Sequence, residues 1–311
     1  MSDASDKHKQ SASVQTTGHA WDGDLQEYNN PLPRWWVWAF YATVVFAVVY
    51  WFLYPAWPLG EGYTTGLFNR MSYEVGGEQE TTHWNSRARF IKQMQTGEEA
   101  VKQREYMEQI ADASYQEILA DPNKMAFARS MAKGLFGDNC APCHGSGGGG
   151  VAGLYPNLVD DAWLWGGTVE AIEETIHQGR LGFMPGYEAT FTEDQLDAVT
   201  EYVLSLSEIR GINRSLAAQG KAIFQGQAGG CHYCHTAEAT GRASVGSANL
   251  TDSIWTVARV PEADTVTGKR KAVEEVIRGG IQRRMPGWDK RLSDTQIKLL
   301  TAYVHELGGG Q

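Results

Sequence analysis

One pattern, written twice, governs what this chain can fold into. Ala132-Lys-Gly-Leu-Phe136 is matched by Gly220-Lys-Ala-Ile-Phe224, and each stretch precedes a Cys-x-x-Cys-His, at Cys140–His144 and Cys231–His235. Downstream, Asn157-Leu158 and Trp163 are matched by Asn249-Leu250 and Trp255. From Glu173 onward the two copies run at a constant offset of 101 residues: Glu173, Glu174 and Ile176 match Glu274, Glu275 and Ile277, and Met184-Pro-Gly matches Met285-Pro-Gly. The two Cys motifs are only 91 residues apart, so the second copy carries about ten extra residues, with Arg259–Lys271 the obvious place for them. Each copy closes on a helix that opens with a capping box, Thr192-x-x-Gln195 and Ser293-x-x-Gln296. Leu196, Val199, Tyr202, Val203 and Leu206, with Ile297, Leu300, Tyr303, Val304 and Leu307, then follow helical spacing. Gly220 and Ala132 are small enough for an opening helix to approach the closing helix, with Phe136 and Phe224 at the crossing.

Cys-x-x-Cys-His is the attachment signature of c-type haem: two thiols add to the vinyl groups as thioethers, and the adjacent His binds iron. Cys140, Cys143, Cys231 and Cys234 are thus expected to hold two haem c groups covalently, with His144 and His235 as axial ligands. All four cysteines are consumed in this way. Zinc or a redox dithiol would also use Cys pairs, but neither explains the His after each pair nor the Met-Pro-Gly that trails it. Met184 and Met285 are the candidate sixth ligands, since a thioether is a soft, neutral donor that favours ferrous iron. Met71, Met94, Met107, Met125 and Met131 read as packing residues. Each proximal His needs an acceptor for its other ring N–H, and the carbonyls of Pro156 and Ala248 stand ready. Trp163, Trp255, Arg180, Arg283 and Arg284 are open to two readings, bonding to haem propionates or ordinary packing. No paired carboxylates or Ser/His/Asp set suggests chemistry on a substrate, so no catalytic residue is assigned.

Ahead of the repeat, Trp35 to Trp57 runs about 23 residues without a charge, roughly 35 Å as a helix at 1.5 Å per residue, enough to span a membrane. Trp35, Trp36 and Trp38 at one end and Tyr50, Trp51, Tyr54 and Trp57 at the other suit the two interfaces. A cleaved signal peptide would start nearer the N-terminus and end at small residues. The expected architecture is therefore all-α: a polar, poorly ordered tail over 1–34, a transmembrane helix over 35–57, a helical connector over 58–125, and cytochrome c domains over 126–209 and 212–309. Within the connector, 86–119 carries Ile91, Met94, Val101, Met107, Ile110 and Ile118 at amphipathic spacing, equally suited to a docking face or a solvated spacer. The net charge of −10 argues against nucleic acid and suits a cationic protein partner.

The order Asn30-Pro-Leu-Pro-Arg-Trp-Trp36, spanning helix, connector and two haem domains, with its Arg-Met-Pro-Gly-Trp loop, resembles the CcoP (FixP) subunit of cbb3-type cytochrome c oxidase. That resemblance implies a dihaem subunit of an oxygen-reducing, proton-pumping oxidase. It implies as partners a haem-copper catalytic subunit, a monohaem cytochrome subunit, soluble cytochrome c donors and membrane lipid. It further implies a bacterial cytoplasmic membrane with haem domains in the periplasm and the N-terminus inside, and sixth ligands that are exchanged, Met285 serving the haem on Cys140/Cys143 and Met184 the haem on Cys231/Cys234. Sequence spacing alone suggests the opposite, within-domain pairing. Two rivals remain: a free-standing membrane cytochrome fed by a quinol-oxidising complex, and a dihaem peroxidase, which would need one iron with an open sixth position.

Overall fold

The computed structural model describes residues 15–207 and 209–308; residues 1–14 of the expected tail and Gly309 at the end of the second domain lie outside them. The chain divides into two compact units, one up to Val101 and one from Lys102.

In the first unit the expected shapeless tail contains a hairpin, β1 (Thr16–Trp21) and β2 (Leu25–Tyr28), both fully exposed. Its turn has a physical cause: Asp22 and Gly23 both take positive φ, 52° and 91°, and Asp-Gly is a strong hairpin signal. Helix α1 runs Arg34–Leu53, none of it buried, and is long and apolar enough to cross a membrane. It stops four residues short of the expected Trp57, because Pro55 drives Tyr54 out of the helical region to φ −123°, ψ 157°. Asn69 Nδ2 then donates to the free carbonyl of Leu53 at 3.1 Å.

The connector is not all helix. A two-residue-per-strand hairpin, β3 (Pro58–Leu59) with β4 (Gly62–Tyr63), is followed by β5 (Arg70–Val75) and β6 (Glu78–His83), joined through Gly76-Gly77 at φ 63° and 89°. Two glycines at positive φ are what a two-residue hairpin loop demands, and Ser72, Tyr73, Thr81 and Thr82 favour extended backbone. Helices follow where the amphipathic spacing predicts them: α2 (Ser86–Thr96), α3 (Glu98–Asp112) and α4 (Tyr115–Ala120).

In the second unit Ile110 and Ile118 are fully buried, in one core cluster with Met125, Phe136 and Leu300. The end of the connector is therefore neither docking face nor spacer but part of the first haem-motif core, which starts well before residue 126. The first copy supplies α5 (Pro122–Asn139), α6 (Ala141–His144), α7 (Val169–Gln178), β7 (Gly179–Met184) and α8 (Glu193–Leu206). The second supplies α9 (Arg214–Gln225), α10 (His232–His235), α11 (Val266–Gly279), β8 (Ile281–Pro286) and α12 (Asp294–Leu307). Both capping boxes form, each closing helix returning its Gln side chain to the cap N–H at 2.9 Å.

The copies do not fold each on itself. Phe136 of α5 meets Tyr303 of α12, rings 5.6 Å apart, and Phe224 of α9 meets Tyr202 of α8 at 5.2 Å. The opening helix of each copy thus crosses the closing helix of the other. Gly220 sits at the second crossing, where an added Cβ would fall on the carbonyl of Ala198. The backbone repeats the exchange: Trp288 N–H donates to Ile176 O and Tyr187 N–H to Ile277 O, both at 3.0 Å, and these four residues are two pairs at the 101-residue offset. The chains cross where β7 and β8 pair antiparallel, with Gly182 opposite Arg283. Those two positions are also equivalents in the repeat, so a pseudo-two-fold axis passes through them and the interface is isologous. The extra residues of the second copy contribute buried Val260 to its core and Arg270, which pairs with the buried Glu201 of α8.

Placing a methyl group on Gly220 forces apart helices that are already at closest approach. Gly220→Ala should cost about 1–3 kcal/mol by denaturant unfolding of the intact chain. Gly134 of α5, where an added Cβ meets nothing within 4 Å, should become about 1 kcal/mol more stable as Ala. Equal midpoints for the two variants would contradict the crossed packing.

Candidate haem centres

Each Cys-x-x-Cys-His forms a single helical turn directly after an opening helix or its loop, so that both thiols and the imidazole project to one side. His144 is buried and its Nδ1–H donates to Pro156 O at 3.0 Å; His235 is half-buried and its Nδ1–H donates to Ala248 O at 2.9 Å. A carbonyl can only accept, so Nδ1 carries the proton and Nε2 keeps its lone pair, the tautomer a metal needs. These are the two carbonyls the sequence points to. Burial pushes both imidazoles below their ordinary pKa, which favours the neutral, ligating form.

The thiols reinforce this reading. Burial pushes Cys140 and Cys231 up to about 11 as free thiols, whereas a redox dithiol depends on a lowered pKa. Among the described residues no three His, Cys, Asp or Glu side chains gather as a metal site. An apolar cavity extends from Cys231 and His235, walled by Met184, Tyr187, Leu250 and Trp255. Buried imidazole, paired thiols and an apolar slot with a thioether in its wall fit a covalently attached haem.

The chain exchange carries each methionine out of its own copy. Met184 leaves the first copy and lines the cavity of Cys231 and His235. Met285 leaves the second copy and packs, with Cys140, Leu158 and Trp163, against the core that holds Phe136. Two glycines make the crossing possible: Gly179 at φ 76° lies against the carbonyl of Met285, and Gly280 at φ 69° against that of Met184. A side chain on either would be strained by its backbone and would strike the opposite methionine loop.

The residues left open by the sequence separate here. Trp163 Nε1–H donates to Gly308 O at 3.2 Å. Arg180 is saturated by Glu174, with two bonds of 2.9 Å, and by Thr175, and lies 5.0 Å over Trp165. Arg284 is exposed, while Arg283 is partly buried. Tyr187, whose hydroxyl burial and the neighbouring Cys231 push up to about 12, was not singled out by sequence. Its repeat equivalent is Trp288, so a pair of aromatics three residues after each Met was the signal available.

Fold and site together define a two-domain c-type cytochrome carried behind an apolar helix. Family comparison agrees and is more specific. The N-terminal domain of cytochrome oxidase-cbb3, FixP, matches residues 13–61, and cytochrome c oxidase, cbb3-type, subunit III matches 129–203 and 215–304. A FixP subunit of cbb3-type cytochrome c oxidase from Azorhizobium caulinodans is 40% identical over 95% of this chain and 94% of its own length. A CcoP subunit from Cereibacter sphaeroides is 38% identical, and a FixP subunit from Bradyrhizobium diazoefficiens 40%, each over 95% of both chains. The chain belongs to the FixP/CcoP family, subunit III of cbb3-type cytochrome c oxidase, the dihaem electron-transfer subunit.

The glycine pair gives a local test. Gly179→Ala should disturb the Met285 loop and Gly280→Ala the Met184 loop, each at a cost of about 1–3 kcal/mol. Each variant is expected to weaken the methionine-ligation absorption band of one haem and spare the other. Bands unaltered in both would separate the crossing from the methionine loops.

Proposed function

We propose that the chain takes electrons from a soluble cytochrome c and relays them to the haem-copper catalytic subunit of its oxidase. In this reading Cys140/Cys143 and Cys231/Cys234 hold two haem c groups by thioether bonds. His144 and Met285 would hold the iron of the first group, and His235 and Met184 that of the second. The observation that carries the reading is a twofold one: each motif imidazole is desolvated, locked by a backbone carbonyl with Nε2 free, and accompanied by a methionine from the opposite copy. Haem c supplies a one-electron ferric/ferrous couple when bound. The chain supplies the rest. Carbonyls of Pro156 and Ala248 orient the imidazoles and raise their basicity, and the apolar walls exclude water, which with a thioether raises the potential. A histidine and a thioether as ligands would suit electron transfer.

The apolar α1 anchors the chain in the bacterial cytoplasmic membrane, with the N-terminus inside and the haem domains in the periplasm, where c-type haem is attached. Within the complex the chain sits with a monohaem cytochrome subunit and the catalytic subunit, which performs the reduction of oxygen. Its acidic balance of 37 Asp and Glu against 27 Lys and Arg suits a cationic donor.

Mild detergent purification followed by a haem-stained gel, with haem-type and copper analysis, tests attachment and association together. The stained chain should co-purify with haem b and copper, and a chain migrating alone would defeat the oxidase role. Met285→Leu should abolish the methionine-ligation band of the haem lost in a Cys140→Ser/Cys143→Ser chain. Loss at the other haem would reverse the axial assignment.

A further inference from the structure

Three arginines lie on the β7/β8 ribbon, and they differ in what they bond. Arg180 spends its guanidinium on Glu174, Thr175 and Ala171 O. Arg284 points to the exposed face with Leu181, Phe183 and Gln282. Arg283 alternates to the other face, with Met285 and Ile281, at the pseudo-two-fold axis. One of its terminal nitrogens, Nη2, donates to Gly153 O, while Nη1 is buried with no hydrogen-bond partner. No Asp or Glu pairs with it among the described residues, and its repeat equivalent is Gly182, so no second cation mirrors it.

A half-buried guanidinium whose Nη1 is shut off from solvent, with unused N–H and no counter-charge, is costly to keep unless an anion completes it. Its anchor says where that anion lies. Gly153 belongs to the loop between His144 and Pro156, the residue whose carbonyl holds the His144 ring. Arg283 is also two residues from Met285, which packs on the same core as Cys140. The neighbouring Arg259, against which a Cβ on Gly153 would rest, is already committed to Glu262 at 3.8 Å. The hydrogen bond from Arg283 to Gly153 O thus ties its guanidinium to the loop of the first centre, and the anions that a haem brings are its two propionate carboxylates.

We propose that the buried Nη1 of Arg283, at the pseudo-two-fold axis of the β7/β8 ribbon, binds a propionate of the haem on Cys140/Cys143 and thereby sets that haem's potential apart from its pseudo-symmetric twin. The proposal rests on the reading that both motifs carry haem. A guanidinium on the propionate offsets negative charge near the iron, disfavours the ferric state and holds the first couple high. Its counterpart in the first copy, Gly182, does nothing of the kind. Two pockets built from one repeated pattern are thereby made unequal by a single side chain.

The test is a potentiometric titration of the purified complex carrying Arg283→Gln or Arg283→Lys. The couple of the first haem is identified as the one missing from the Cys140→Ser/Cys143→Ser chain. Arg283→Gln should lower that couple by about 59 mV, a tenfold change in the ferric/ferrous ratio at fixed potential. The methionine-ligation band should persist, and Arg283→Lys should restore part of the shift. Both couples unchanged with both haems attached would overturn the inference, as would a shift confined to the second couple or a shift accompanied by loss of the methionine band. A wild-type chain that stains for fewer than two haems would instead overturn the underlying haem reading, and the stain distinguishes the two failures.

Discussion

The antiparallel pairing of Gly179–Met184 with Ile281–Pro286 is the constraint on which the haem-bearing unit depends. Six residues from each copy lie side by side in opposite directions, and beyond them each copy's methionine, closing helix and core residues belong to the other copy's motif. Gly179 and Gly280 allow the backbones to pass where a side chain would collide. Everything downstream follows from that passage: the α5/α12 and α8/α9 crossings, the paired Trp288 and Tyr187 backbone bonds, and the arrival of Met184 beside Cys231. The arrangement is a dimer interface folded into one chain. Its symmetry is isologous in the sense that applies to two-fold oligomers, in which one surface meets its own copy.

Symmetry of backbone does not impose symmetry of chemistry. Arg278 of α11 clasps Glu193 and Glu274, whereas its equivalent His177 only approaches Asp294 at 3.9 Å. Glu201 is buried on Arg270, whereas the equivalent position in the second copy is Ala302. The inserted residues before Glu274 feed the second core alone, and α3 and α4 feed the first alone, through Ile110 and Ile118. Each pocket is therefore supported from outside the repeat by different material. Two centres that must pass charge in a direction gain from such inequality, since identical pockets would hold it equally.

Much of this was legible in the residues. The Cys-x-x-Cys-His turns, the Pro156 and Ala248 acceptors of their histidines, the capping boxes and the faces of the closing helices all depend on nearby positions in the chain, and local spacing reports such dependence well. Partner choice across the repeat does not. Phe136 and Phe224 are visibly fit for a helix crossing, but Tyr202 and Tyr303 occupy equivalent positions, so composition cannot say which ring meets which. The strands before residue 84 are signalled only by the turn pairs Asp22-Gly23 and Gly76-Gly77, set in a polar composition that by itself reads as unstructured. The end of the spanning helix was placed by hydrophobicity, whereas Pro55 ends it by sterics. Ile110 looked like one position in an amphipathic stripe, and only its long-range contact with α12 reveals it as core.

The crossed arrangement also sets an order of assembly. Residues of the first motif emerge from biosynthesis long before Met285 and α12, the parts that close over it, while the second motif meets its own covering helix, α8, already present. Long-range partners are slow to meet and leave apolar surface open in the interval. The site made first is consequently finished last, and its cysteines remain reachable until α12 has been made.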